Sequence, residues 1–138
     1  MKYRISFSLI AFAILLTQSA GAMEPGKALT FDRIVIDPEE LFFPEDTKIR
    51  PDKSFLNLRN FRPMSNVHGE RYAMVTVQNQ LNSKQSLDPE EFVGVFADGT
   101  HRYPREFKVS IDPARTLTFA LDFGTSRFPL VKVIINNG

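Results

Sequence analysis

The chain is expected to fold as an all-β antiparallel sandwich, with a barrel as the alternative closure of the same strands. Three observations point there. Large apolar residues recur at period two: Ala73, Val75 and Val77; Phe107, Val109 and Ile111; Leu117, Phe119, Leu121 and Phe123. Successive side chains of a strand face opposite sides, so each set lines one face of a sheet. Turn-forming residues punctuate these runs roughly every ten residues, the rhythm of sandwiches and barrels. No long helical pattern interrupts them.

About seven strands are expected, at residues 29–36, 55–61, 72–79, 92–97, 102–111, 116–123 and 130–136. The third ends in the polar run Asn79 to Lys84. The fourth and fifth flank Asp98-Gly99, a strong hairpin signal when both central residues of a type I′ turn need positive φ. Pro104 bends or caps the edge on which the fifth begins. Asp112-Pro113-Ala114-Arg115 separates the fifth from the sixth, and Gly124-Thr125-Ser126 precedes the last. That last strand is β-branched and nearly all apolar, as a strand covered on both sides should be. Asp37-Pro38 and Asp88-Pro89 each place Asp as N-cap and Pro at the first helical position, so short helical turns are expected at 38–42 or 89–92.

Residues 1–22 read as a secretory signal peptide. Lys2 and Arg4 precede an apolar run from Ile5 to Leu16, and Ala20 and Ala22 form a small-residue cleavage site. The run is shorter than the ~20 residues of a spanning helix, so no stable membrane insertion is expected after cleavage. Residues 23–138 form the expected single domain. Of 138 residues, removing those 22 leaves 116, with 15 basic and 16 acidic side chains, and the net charge of +1 becomes −1. A near-neutral domain has no electrostatic case for nucleic acid or anionic membranes. The chain contains no Cys, which excludes a thiol nucleophile, a Cys-based zinc site and an iron–sulfur cluster. The expected location is the periplasm, with release to the medium as the alternative.

Reactive constellations are sparse. His68 and His101 are the only histidines, one per loop, which is not a metal-ligand spacing. Asp98 has no further carboxylate before Glu106, so the six to eight oxygens that calcium takes are not assembled there. No G-x-S-x-G elbow occurs, and Glu39-Glu40 and Glu90-Glu91 are adjacent pairs whose side chains diverge. No enzyme activity, metal or cofactor is expected. Two sets of residues remain. Leu41, Phe42 and Phe43 stand together in a long segment with three prolines, either plugging one end of the sandwich or forming an apolar tip for a partner. Tyr72, Arg102, Tyr103 and Arg105 are the candidates for a small ligand or carbohydrate.

The runs Tyr72-Ala73-Met74-Val75-Thr76-Val77-Gln78-Asn79, Leu87-Asp88-Pro89-Glu90-Glu91-Phe92-Val93-Gly94-Val95-Phe96-Ala97-Asp98-Gly99-Thr100-His101-Arg102-Tyr103 and Ile111-Asp112-Pro113-Ala114-Arg115-Thr116-Leu117-Thr118-Phe119-Ala120-Leu121-Asp122-Phe123 together resemble the exported bacterial immunoglobulin-like module of the DUF4352 type. Where that pattern has Pro-Gly, this chain has Pro113-Ala114. The resemblance implies an immunoglobulin-like antiparallel β-sandwich and a non-catalytic accessory or binding domain. It carries no site residues over. The expectation is therefore a protein-binding accessory or structural subunit of an envelope assembly, with another envelope protein as partner.

Overall fold

The computed structural model describes residues 26–33 and 49–137. The leader at 1–22, the helical turn expected at 38–42 and the Leu41, Phe42, Phe43 triplet lie outside the described residues. What is described is all-β and sandwich-like. Its strands pair antiparallel, apart from one isolated parallel bridge between Lys53 and Asn136.

Nine strands are described, two more than expected. They are β1 (Thr30–Phe31), β2 (Leu56–Ser65), β3 (Glu70–Asn79), β4 (Gln85–Leu87), β5 (Val93–Phe96), β6 (His101–Arg102), β7 (Val109–Ile111), β8 (Thr116–Thr125) and β9 (Leu130–Ile134). One layer is the sheet β1-β2-β3-β8. The sheet β6-β5-β9 and the ribbon β4-β7 supply the opposing residues. Ala73, Val75, Val77, Leu121 and Phe123 of the first sheet meet Leu87, Phe92, Phe96, Ile111, Leu130 and Val133 in one core. The period-two reading therefore holds where it was strongest, along β3 and β8. On the other face of that sheet the exposed Arg62, Asn60, Thr116, Thr118 and Ala120 meet solvent, the alternation expected of a sheet wetted on one side.

Three elements depart from the sequence reading. The single strand expected over 102–111 is two strands in different sheets, with Pro104 in the break. Proline donates nothing to a ladder, and here the chain leaves β5 after Arg102 and rejoins β4 at Val109. Strand β4 was not anticipated, because three residues are too few to display a period. The Asp98-Gly99 hairpin is not type I′. Phe96 N donates to Thr100 O at 2.9 Å and Gly99 N to Phe96 O at 2.9 Å, and Gly99 alone has positive φ there, at 84°. This is the three-residue loop built on a type I turn followed by a left-handed glycine. The short helical turn at Pro89–Glu91 is present as a 3-10 turn, with Asp88 N donating to Glu91 Oε2 at 2.9 Å.

Candidate functional site

Strand β8 carries the two features of interest. Its ladder to β3 runs regularly from Gln78↔Thr116 to Tyr72↔Asp122, and then a bulge displaces the pairing to Glu70↔Thr125. Gly124 lies in that bulge at φ 75°. A bulge turns main-chain groups out of the ladder, and two arginines collect them. Arg102 Nη1 donates to Phe123 O at 2.8 Å and Thr125 O at 3.1 Å, while its guanidinium lies 4.8 Å from the centroid of the Phe96 ring. Arg105 N donates to Asp122 O at 2.7 Å, and Arg105 Nη1 pairs with Asp122 Oδ2 at 3.2 Å. Asp122 Oδ1 accepts from Gly124 N at 2.8 Å.

Tyr72 joins this cluster from β3. Burial pushes its phenol pKa up, and the Asp122 and Glu70 carboxylates and a hydrogen bond to Asp122 push it the same way, against Arg105. The structure thus brings together three of the four residues singled out for a ligand: Tyr72, Arg102 and Arg105. Tyr103 is turned away, and its hydroxyl donates to Arg50 O at 3.0 Å. All four side chains hold an internal partner, and those of Arg102 and Arg105 close the bulged end of β8.

The N-terminal part of β8 is different. Arg115 O accepts from Asn79 N, toward β3, and Asp122 O accepts from Arg105 N, away from it. Main-chain groups alternate sides along a strand, so the N–H and C=O of Thr116, Thr118 and Ala120 point outward. Among the described residues no main-chain group pairs with them. The stretch Thr116-Leu117-Thr118-Phe119-Ala120-Leu121 has no charge, proline or glycine. Leu117 and Phe119 face the core and remain half-buried, and Phe119 packs against Phe92 and Phe107 at centroid distances of 6.0 and 5.7 Å.

Several other edges among the described residues carry guards. β1 and β6 have two residues each. β2 carries a bulge at Arg59, with the exposed Arg62 further along. Lys53 bridges Asn136 just beyond β9. Short strands, bulges and charges are the usual guards of a sheet edge, and residues 116–121 lack all three.

Two other polar features were illegible in the sequence. Asp32 accepts from the Ser65 hydroxyl, while its Oδ2 is buried without a hydrogen bond, 3.8 Å from Arg71 Nη1. Arg71 also donates to Ser126 O at 2.9 Å, so this group ties β1, β2 and β3 to the loop before β9. An open cleft of about 470 Å³ lies beside the β4-β7 ribbon and is lined by Ser86, Pro89, Glu106, Phe107 and Ser110, among others. Among the described residues, no group of three or more His, Asp or Glu is placed to hold a metal ion, and no helix is long and apolar enough to cross a membrane. Comparison with protein-family models, curated proteins and solved structures returns no match for this chain.

Proposed function

We propose that this chain is an exported, non-catalytic β-sandwich that binds protein, acting as an accessory or structural subunit of an envelope assembly. The observation that carries this reading is the outer edge of β8. Open N–H and C=O groups on an uncharged, β-prone strand offer main-chain hydrogen bonds to an incoming extended strand, the recognition mode of β-augmentation. The half-buried Leu117 and Phe119 beside that edge add apolar contact. The likeness to the immunoglobulin-like module has one local support. Ala114 adopts φ 54°, the left-handed conformation that the glycine of that pattern takes without strain.

The small-ligand reading has weaker support. A ligand at Tyr72, Arg102 and Arg105 would compete with the carbonyls and carboxylate they already serve. Leu41, Phe42 and Phe43 stay in the proposal as a side-chain anchor, since a few aromatic residues often carry most of an interface's binding energy.

A photo-reactive residue placed at position 118, and separately at position 43, tests the reading in intact cells. A protein adduct at 118 is the expected result. No adduct at 118 in a folded, correctly exported chain would remove the edge as a binding surface, and silence at both positions would end the protein-binding proposal.

A further inference from the structure

We propose that the strand received by the β8 edge is β8 of a second copy of this chain, giving an antiparallel two-fold dimer centred on Thr118; this rests on the reading of the edge as a protein-binding surface. The open run is bounded on both sides. Ala114 N already donates to Leu81 O, and Asp122 O already accepts from Arg105 N. Between them, Thr116, Thr118 and Ala120 have no main-chain partner among the described residues on this side. One antiparallel register engages all three in both copies: Thr118 opposite Thr118, and Thr116 opposite Ala120. Each of these residues then gives its N–H and receives at its C=O, as in the hydrogen-bonded pairs of an antiparallel ladder.

The side chains agree with that register. On the core-facing side Leu117 of one copy stands opposite Phe119 of the other, twice by symmetry. Both are half-buried within one chain and would bury their remaining surface on each other. On the solvent side the pair Thr118–Thr118 continues a row that already exists, because Thr76 Oγ1 and Thr118 Oγ1 lie 2.8 Å apart. Threonine pairs across strands are favourable. Symmetry, not charge, selects the direction: the Asp122 carboxylate is already held by Arg105 Nη1 at 3.2 Å and Gly124 N at 2.8 Å, whereas an antiparallel pairing is closed by a two-fold axis that sets Leu117 opposite Phe119 in both halves. A patch that matches itself in this way is what a two-fold interface requires. The contact is smaller than a standard interface, so the dimer is a weak one.

Sedimentation equilibrium on the purified exported chain, up to ~1 mM for so small an interface, provides the test. Wild type is expected to dimerise reversibly. T118K and T118E each set two like charges directly opposite one another, so each should weaken the dimer by about fivefold or more. An equal mixture of the two should recover the affinity, which also shows that both variants fold. Wild-type chain that stays monomeric throughout, or single variants that dimerise as wild type does, overturn the proposal. If the purified chain is monomeric while position 118 still cross-links to a different protein in cells, the self-pairing fails and the protein-binding reading stands. If position 118 gives no adduct in cells, the edge fails as a binding surface, and the wider reading fails as well if position 43 is also silent.

Discussion

Two small residues show opposite demands on the backbone. Gly94 lies in the middle of β5, and a Cβ there would stand 2.7 Å from Phe123 Cδ1 and 2.9 Å from Leu130 Cδ1. Both side chains are fully buried and have nowhere to move. Gly94→Ala is expected to destabilise the protein by about 1–3 kcal/mol through overpacking, read from urea denaturation. Ala114 is the reverse case, an exposed non-glycine residue at φ 54°. Left-handed backbone costs an L-residue roughly 1–2 kcal/mol, while glycine loses up to about 1 kcal/mol in added unfolded-state entropy. Ala114→Gly should therefore raise stability, by about 0.5–1 kcal/mol. A fall in stability would show that the turn does not hold this conformation. Asp98 has a pH signature. Burial acts against its charge, but hydrogen bonds from the Thr100 hydroxyl and N–H outweigh it and hold its pKa below the usual carboxylate value. Its folded-state pKa is thus the lower one, so its contribution to stability is present above the unfolded value and lost as pH falls through the folded one. The stability gap between wild type and Asp98→Ala should close as pH drops below about 4. A gap independent of pH would place the effect in the turn's conformation instead.

At the scale of elements, joints between strands matter as much as ladders. Asn79 ends β3 and is 1% exposed. Its Nδ2 donates to Ser83 O at 2.8 Å and Asp112 O at 3.1 Å, and its Oδ1 accepts from Leu81 N at 2.9 Å. One side chain therefore stitches the turn after β3 to the turn before β8. From the sequence it was only the first residue of a polar turn. Asn79→Ala leaves these groups without a partner and should cost about 1–3 kcal/mol. The denaturant midpoint should fall while the m-value stays constant, since the same surface is exposed on unfolding. The ribbon β4-β7 and the strand pair β5-β6 show a related point. Phe107, Val109 and Ile111 alternate as the sequence suggested, and all pack on the core. Yet Val109 and Ile111 belong to a strand that pairs with β4, while Arg102, from the same expected strand, pairs with β5. Inward-facing periodicity is a property of one strand, whereas pairing is a property of two.

At the scale of the molecule, the export reading carries its own expectation: intact mass of the exported chain should correspond to a start at Met23, after the Ala20 and Ala22 cleavage site. A mass that retains residues 1–22 would withdraw the periplasmic assignment. The sequence by itself determined the all-β class and the inward faces of β3 and β8. It also determined the location of the main turns. These depend on nearest neighbours, on alternation along a strand and on glycine or proline at a bend. Tertiary structure decided the sheet to which each half of residues 101–111 belongs, the pairing of β4, the burial of Asn79 and the gathering of Tyr72, Arg102 and Arg105 on the β8 bulge. It also decided which edge stays open among the described residues. The reason is physical: Thr116, Thr118 and Ala120 would look the same in sequence at the centre of a sheet. An edge is defined by the absence of a neighbour, and among the described residues it follows from the path of residues 103–108, whose main chain meets β8 only at Asp122 O before the chain goes on to pair with β4.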